Sequence, residues 1–454
     1  MKQEPSKTER VMEGIVARIR SGALQPGARL RSIRDEAMLM GVANNTVVEA
    51  YLRLVAQGVV QSRPGSGYFV ARAPARPAKE PLLPFAGISD GGALLTEQLE
   101  RRLPVRPGDG RLPVDWLEES RLRTHLGSVR LHSSDAYNYN SAQGYFPLRA
   151  RLCGALAERG ITCQPQQMLM THGANHAMEL VIRAYVRPGD AVLVDDPGYY
   201  PLFSKLKLAG ATIVGVRRDH DGPNLEDLAE KARTSGAGLF FTQSLAHNPT
   251  GGSISLAKAY GVMQIAGQHD LLVVEDDPFA DILPYSAPRL AALDQLQRVI
   301  YIGSFSKTLA GSFRVGYVAA SPERATALSE ILVVTVISTS AHNERIVYSL
   351  IDQGHYLKHL RGLRTRVSEA TAETVRQLTA LGLEVSHSGG GFYLWPKVPP
   401  ALVTPHAVSD AAARGIFIAP GSAFAAGAHS EASMRVNVAH GNHPDFLTWL
   451  RSAM

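Results

Sequence analysis

Six apolar runs of strand length, separated by helical segments, constrain the fold of this 454-residue chain most strongly. They begin near positions 168, 191, 238, 271, 299 and 315. Each run is apolar at successive positions, which is typical of strands that are covered by helices on both faces of a mostly parallel sheet. The pattern therefore predicts an α/β three-layer domain within residues 85–454.

Chemically informative residues follow the ends of these runs, where the sheets of α/β proteins bind their ligands. Ala174 and Asn175 open a helix, and the N–H groups at a helix start suit a phosphate. Tyr199 offers a ring for stacking, and Asn248 offers an amide on a rigid turn. A carboxylate at Asp276 could pair with a pyridinium nitrogen. Each position is weak evidence alone, but their order at successive strand ends predicts a single site.

The stretch Ser304-Phe305-Ser306-Lys307-Thr308, with Arg314 seven residues past the lysine, follows the fifth run. A lysine amine can form a Schiff base with an aldehyde cofactor. The neighbouring hydroxyl groups at Ser304 and Ser306 and the guanidinium of Arg314 suit a phosphate dianion. The stretch predicts an aldehyde cofactor that carries a phosphate.

The net charge of +6 lies in the first 80 residues, which carry 13 Lys and Arg against 7 Asp and Glu; the other 374 hold 34 of each sign. Periodicity predicts three helices there, at about 7–21, 32–40 and 44–57, and then a glycine-rich hairpin ending in the strand 68–70. Three helices and a hairpin make a winged helix-turn-helix, and the basic charge indicates a DNA partner. A dimerisation unit without a DNA role is the alternative.

This region, here called the head, resembles the DNA-binding domain of the GntR superfamily from Leu24 to Val70 (LQPGARLRSIRDEA to PGSGYFV). The resemblance implies a double-stranded DNA operator, and asparagine and arginine can read base edges or bind phosphates. Ala43-Asn44 stands where the superfamily usually has a hydroxyl N-cap followed by arginine. We therefore expect an operator sequence that differs from those usual for the superfamily. The residues expected to face DNA are Arg34, Asn44, Asn45, Thr46, Arg63, Gly65, Ser66 and Gly67.

Composition sets the expected domain boundaries. Residues 1–72 form the predicted DNA-binding domain, 73–84 a proline-rich linker, and 85–454 the second domain, here called the body. Cys153 and Cys163 fit neither a CxxC pair nor a metal pattern, so reduced thiols and no metal are expected. The sequence has no 18-residue apolar run and no hydrophobic leader, which predicts a cytoplasmic protein without membrane contact.

The ordered residues of the body resemble the fold-type I pyridoxal-phosphate aminotransferases. The resemblance implies pyridoxal 5'-phosphate as cofactor, Lys307 as the Schiff-base lysine and Asp276 as the partner of the pyridine nitrogen. Arg435, in MRVNVA, is similar to the arginine that binds a substrate or effector carboxylate. A small C-terminal α+β part from about residue 320 is also implied. The other implied cofactor contacts are Tyr139 (to the phosphate of a neighbouring subunit), Ala174, Asn175, Tyr199, Asn248, Ser304, Ser306 and Arg314.

The chain departs from that family just after Asp276. A tyrosine that hydrogen-bonds the ring hydroxyl is common there, and Pro278 and Phe279 occupy the candidate positions. Loss of the phenol predicts a higher apparent pKa at the Schiff-base lysine and slower proton transfers. We therefore expect cofactor binding with little or slow transaminase activity.

A GntR-type head joined to an aminotransferase-like body resembles the MocR-type regulators over the whole chain. The resemblance implies a homodimer in which each head packs near the other subunit's body. It also implies that an amine, an amino acid or pyridoxal phosphate itself is sensed by exchange at Lys307. An active aminotransferase with an auxiliary DNA-binding head is the alternative function, whereas Lys307 argues against a catalytically empty scaffold.

Overall fold

The computed structural model describes residues 6–71, 89–118, 138–283, 286–386, 391–427 and 432–454. The chain divides into two compact units, Met1–Pro84 and Phe85–Met454. The expected linker, residues 73–84, lies outside the described residues. Within the described ranges, none of the helices has the length and apolar character that a membrane span requires.

The head is a three-helix core closed by a two-stranded hairpin, as predicted. Side-chain oxygens of Ser6 and Ser32 cap the first two helices, and Gly41 ends the second in the left-handed conformation. The elements are α1 (Lys7–Arg20), α2 (Ile33–Met40), α3 (Asn44–Ala56), β1 (Val60–Arg63) and β2 (Gly67–Val70). Their core consists of Val11, Ile15, Leu30, Ala37, Val47, Ala50, Tyr51, Leu54, Val60 and Val70.

An eight-stranded sheet in the order β3-β10-β9-β8-β7-β4-β5-β6 forms the centre of the body. The pairs β9–β8, β8–β7, β7–β4 and β4–β5 are parallel, whereas β10 is antiparallel to both of its neighbours. The strands of this eight-stranded sheet are β3 (Met168–Thr171), β4 (Ala191–Asp196), β5 (Thr212–Asp219), β6 (Gly222–Pro223), β7 (Leu239–Thr242), β8 (Leu272–Asp277), β9 (Val299–Ser304) and β10 (Gly316–Ala319).

The helices of the body cover both faces of this sheet or pack against a second, smaller sheet. The earlier ones are α4 (Ser89–Glu100), α5 (Val114–Glu118), α6 (Phe146–Ala157), α7 (Ala174–Tyr185), α8 (Tyr200–Leu208), α9 (Leu225–Ser235), α10 (Leu256–Gln268) and α11 (Leu290–Asp294). The later ones are α12 (Pro322–Val336), α13 (Ala341–Asp352), α14 (His355–Ala380), α15 (Pro405–Ala413) and α16 (Pro444–Ala453). Short 3₁₀ turns occupy Pro165–Gln167, Gly311–Phe313, Pro400–Val403 and Gly421–Phe424.

The apolar runs predicted the sheet because both of its faces are buried. In β9, Val299 and Tyr301 belong to the core on one face, and Ile300 and Ile302 to the core on the other. Alternate side chains of one strand therefore enter different cores, and neither face shows the polar alternation of a half-exposed strand. The mostly parallel α/β architecture is confirmed.

A smaller antiparallel sheet follows, in the order β11-β12-β14-β13. Its strands are β11 (Glu384–Ser386), β12 (Tyr393–Lys397), β13 (Ala419–Pro420) and β14 (Met434–Asn437). A separate apolar core that includes Phe446 and Trp449 of α16 packs against it. In β14, Arg435 pairs with Ala419, and Asn437 pairs with Tyr393 of β12. The middle strands of this sheet therefore bring Arg435 and Tyr393 together.

Candidate functional site

Lys307 lies three residues past the end of β9, and its amine is directed into the body. Its Nζ donates a hydrogen bond to the carbonyl oxygen of Gly110. Burial, followed by the charge of Arg435, lowers the pKa of Lys307 to about 8. About a tenth of this amine is therefore unprotonated and nucleophilic at pH 7, far more than for a lysine of ordinary pKa.

Asp276, the last residue but one of β8, has a buried carboxylate of which only one oxygen has a hydrogen-bond partner among the described residues. Its Oδ2 accepts a hydrogen bond of 2.7 Å from Gln243 Nε2. Its Oδ1 is buried and has no hydrogen-bond partner among the described residues. Burial raises the pKa of Asp276 to about 7. Tyr199, Gln243 and Asp276 line one small cavity, so the predicted stacking residue and the predicted partner of the ring nitrogen lie in the same place.

The start of α7 and the turn around Arg314 form an anion-binding cradle. Gly173, at φ 78°, precedes Ala174 and leaves the first N–H groups of α7 without a side-chain cap. Arg314 Nη2 donates to His172 O at 2.8 Å, and Nη1 lies 3.4 Å from Ser306 Oγ. A Cβ atom at position 173 would lie 2.9 Å from Arg314 Nη2, so glycine is what admits the guanidinium. Helix dipole and guanidinium both favour a phosphate here.

Two other predicted phosphate contacts frame the cradle. Ser304 is buried at the end of β9, and its Oγ accepts a hydrogen bond of 3.2 Å from Ser306 N. Asn175 is exposed at the second position of α7. The structure therefore places five predicted residues, Ala174, Asn175, Ser304, Ser306 and Arg314, on the elements that make the cradle.

Arg435 is a buried cation, with 2% of its surface exposed. Its Nη1 donates to Asn248 Oδ1 and its Nη2 to Gly108 O, both at 2.8 Å. The rings of Tyr393 and Phe424 lie 4.8 and 5.0 Å from its guanidinium carbon. Its Nε has no partner among the described residues. The predicted carboxylate clamp thus retains an unused donor, and Asn248 retains its amide nitrogen for a further ligand.

Sequence reasoning missed the segment Gly108–Arg111, which contacts both cations of the site. Gly110 O accepts from Lys307 and, at 2.8 Å, from Tyr393 OH. Asn437 Nδ2 holds the segment by donating to Asp109 O at 3.0 Å and to Arg111 O at 2.7 Å. These contacts use backbone carbonyls, so the side-chain types in PGDGR carried no sign of them.

Phe279 is buried and packs edge-on against other aromatic rings. Its ring centre lies 5.0 Å from that of Phe392 and 5.7 Å from that of Tyr393. An apolar ring therefore lies where the aminotransferase resemblance implies a tyrosine, and the nearest hydroxyl of this cluster, on Tyr393, is bonded to Gly110 O. Tyr139, by contrast, is 81% exposed and is not brought to the cluster within one chain.

In the head, the predicted DNA-facing residues are mostly exposed. Arg34 lies on α2, Asn44 and Asn45 start α3, and Thr46 is half-buried. No side chain caps α3 at Ala43, so its first N–H groups stay available to a phosphate. The β1–β2 hairpin is the wing of the head. At its turn, Gly65 and Gly67 have φ values of 70° and 98°, with Ser66 exposed between them. Arg63 is exposed, and its guanidinium carbon lies 4.4 Å from the centre of the Phe69 ring.

Comparison with known families matches both units. The bacterial regulatory proteins of the gntR family match residues 7–70, and aminotransferase class I and II matches residues 109–448. The chain belongs to the aminotransferase class I and II family. With its GntR head it is a MocR-type transcriptional regulator, and the predicted family is confirmed.

Relatives of this MocR-type regulator share both parts. YdcR of Escherichia coli, an uncharacterized HTH-type transcriptional regulator, is 28% identical over 450 residues, which cover 95% of each chain. The probable rhizopine catabolism regulatory protein MocR of Rhizobium meliloti is 29% identical over 79% of this chain and 74% of its own. Among solved structures, the alpha-aminoadipate aminotransferase LysN of Thermus thermophilus superposes with a TM-score of 0.72 at 23% identity, over 82% of this chain and 98% of LysN. That likeness shows the fold of the body.

Proposed function

We propose that this regulator binds operator DNA through its head and pyridoxal 5'-phosphate through its body, and that it senses an amine or amino acid, or the cofactor itself, at Lys307. The observation that carries the proposal is the buried pair of Lys307, with its lowered pKa, and Asp276, with a free Oδ1, in one domain behind a GntR-type head. In addition, LysN was solved in complex with N-(5'-phosphopyridoxyl)-L-leucine.

The residues present fit this cofactor. The free Oδ1 of Asp276 supplies the one acceptor that a pyridinium N–H needs. The cradle of Gly173, Ser306 and Arg314 supplies N–H groups and a cation for the phosphate. The cofactor, when bound, supplies an aldehyde that condenses with primary amines and a ring that withdraws electrons.

The protein's own residues then do three things. Lys307 Nζ would hold the aldehyde carbon of the cofactor and would be freed where another primary amine replaced it. Arg435 binds the carboxylate of that amine, using its free Nε. Lys307 and Arg435 both donate hydrogen bonds to the segment Gly108–Arg111, so a ligand that takes up either donor would act on this segment. The response reaches the head only if the amine binds one head arrangement better than the other.

A homodimer is part of the proposal. Tyr139 is 81% exposed and makes no described contact with the cofactor residues of its own chain, so it is available to the phosphate of a second copy. In such a homodimer the two heads would read two operator half-sites.

The direct test is an absorbance titration of the purified protein with pyridoxal phosphate and then with candidate amino acids. We expect a visible band that forms with the cofactor and changes on addition of the effector. Footprinting on the DNA upstream of its own gene should show protection at low salt, where phosphate contacts are strongest. Absence of protection there would defeat the regulator proposal, and absence of the band would defeat the cofactor proposal.

A substitution in the wing separates phosphate binding from other contributions of the head. For Arg63→Ala we expect a roughly 3- to 10-fold loss of DNA affinity and a salt-dependence slope that is smaller by about one, because one phosphate contact is lost. The measurement is fluorescence anisotropy with a labelled upstream fragment at several salt concentrations. The matched control is Arg53→Ala, since the Arg53 guanidinium is already paired with Glu49. Equal slopes for the two variants would exclude Arg63 from the interface.

Attachment of the cofactor should depend on pH through Lys307. Only the unprotonated amine attacks an aldehyde, and the pKa of Lys307 is about 8 instead of 10.5. The stopped-flow rate of band formation should therefore rise about tenfold per pH unit below pH 8 and level off above it. In Arg435→Gln the inflection should move to higher pH, because a neighbouring positive charge is removed. An inflection near the ordinary lysine value in the unmodified protein would contradict the buried environment.

A working aminotransferase is the second candidate, favoured by the joint presence of Lys307, Asp276 and Arg435. Single-turnover conversion of an amino acid to its keto acid tests it. We expect slow turnover, because Phe279 provides no hydroxyl beside the site. Fast multiple turnover of an amino acid that does not change DNA binding would favour the aminotransferase over the regulator.

A further inference from the structure

We infer that Gln243 is the positioning residue that orients Asp276 for the pyridine nitrogen and ties it to the Asn248 turn. The inference rests on the proposed function, because it concerns the same cofactor. Gln243 follows β7 directly, and neither the family matches nor the sequence motifs assign it a role. Its side-chain amide and its backbone each make two hydrogen bonds, either to predicted cofactor residues or to residues that support them.

The side-chain amide of Gln243 joins two predicted cofactor residues. Its Nε2 donates to Asp276 Oδ2 at 2.7 Å, and its Oε1 accepts from Asn248 N at 2.8 Å. A carboxylate oxygen only accepts and a backbone N–H only donates, so these two partners determine which way the amide is turned. Gln243 is 5% exposed, and no other orientation would satisfy both neighbours.

The backbone of Gln243 is held just as firmly. Its N–H donates to Asp195 Oδ2 at 3.1 Å, and its carbonyl accepts from Arg218 Nη2 at 2.8 Å. Asp195 and Arg218 are themselves paired at 3.0 Å and buried. An ion pair at the ends of β4 and β5 thus fixes the residue that in turn fixes Asp276.

The consequence for Asp276 is that its two oxygens have different uses. Oδ2 is taken by the neutral amide of Gln243, and Oδ1 stays free in the buried site. A neutral donor stabilises the ionised carboxylate without cancelling its charge, which a lysine or arginine in this position would do. Gln243 therefore orients Asp276 and, by stabilising its ionised form, counteracts part of the rise in pKa that burial causes.

Three variants test this inference. Gln243→Leu keeps the volume and removes the hydrogen bonds. Gln243→Glu keeps the shape and the acceptor for Asn248, but it donates to Asp276 only while the two carboxyl groups share a proton. Gln167→Leu is the control, since Gln167 donates to Ala320 O next to the amino end of β3, away from the site. The readout is the dissociation constant of pyridoxal phosphate, from absorbance and intrinsic fluorescence, at pH values from about 6 to 9.

Other titratable groups lie near Gln243 and Asp276. The dissociation constant of each variant is therefore divided by that of the unmodified protein at the same pH. Burial lowers the pKa of His247 to about 4, which keeps it neutral throughout this range. Lys307, with a pKa of about 8, and Asp276, with a pKa of about 7, titrate within the range, and the division removes the part of their contribution that is common to the variant and the unmodified protein. The charged or titratable groups around Gln243 and Asp276 are Asp195, Arg218, His247, Asp277, Lys307 and Tyr199.

We expect the dissociation constant of Gln243→Leu to rise about 10- to 100-fold at every pH, because a buried carboxylate loses its hydrogen bond. For Gln243→Glu the ratio should be near one at pH 6 and grow at least about tenfold toward pH 9, as the shared proton leaves and two carboxylates face each other. A purely structural role predicts no such pH dependence.

The outcomes are separable. If the Gln243→Glu ratio is flat with pH, or if Gln243→Leu binds the cofactor as Gln167→Leu does, the inference is wrong while the proposed function stands. If the unmodified protein does not bind the cofactor, the proposed function itself fails. Should Gln243→Leu not fold, the pH series of Gln243→Glu decides alone, because at pH 6 that variant retains every contact of the amide.

Discussion

Lys307→Ala should lose the visible absorbance band completely and release pyridoxal phosphate on gel filtration. The substitution removes the amine that lies past β9 and leaves Asp276 and the cradle of Gly173 and Arg314 in place. Weak non-covalent binding of the cofactor should therefore persist while its covalent attachment does not. The measurement is the absorbance spectrum before and after gel filtration.

The matched control is Lys397→Ala, which removes an exposed lysine paired with Glu384 at the end of β12. Its spectrum should equal that of the unmodified protein. DNA binding by Lys307→Ala should also remain, since the head is a separate unit, but it should no longer respond to an added amine. A band that persists unchanged in Lys307→Ala would mean that another amine carries the cofactor.

Arg435→Gln should weaken the response to amino acids about 100-fold and leave the response to amines without a carboxylate nearly unchanged. Truncating one partner of a buried, hydrogen-bonded charge pair has an effect of this size. The measurement is the ligand concentration that produces half of the absorbance change, for an amino acid and for the corresponding decarboxylated amine. The response of Arg435→Lys to amino acids should fall between that of the unmodified protein and that of Arg435→Gln, because lysine keeps the charge and lacks the planar guanidinium. An equal loss for both ligands would show that Arg435 supports the fold of the site and does not select the carboxylate.

The sequence predicted those features that depend on local pattern. The alternation of Val299, Ile300, Tyr301 and Ile302 between two cores is visible as one apolar run, and the strand ends then followed from it. In the head, caps at Ser32 and Gly41 are readable because they act on neighbouring residues.

Contacts between distant residues were not predictable in the same way. Lys307 and Tyr393 meet at the carbonyl of Gly110, and a backbone acceptor has no side-chain identity to mark it. The contact between Gln243 and Asp276 follows from the strand order. Thr242, the last residue of β7, pairs with Glu275 of β8, so the residues that come next along the chain, Gln243 and Asp276, are neighbours once that order is known. Strand order depends on tertiary packing, which residue types alone do not determine.

Burial of the Arg435 cation bears on the conformational stability of the body. Arg435 is a nearly fully buried cation whose described hydrogen bonds go to neutral acceptors, the side chain of Asn248 and the backbone of Gly108, with Nε left over. Burying a cation is costly, and neutral acceptors and aromatic faces offset that cost only in part. A carboxylate bound at the free Nε would offset more of it. Binding of such a ligand and the conformational stability of the body are therefore thermodynamically linked.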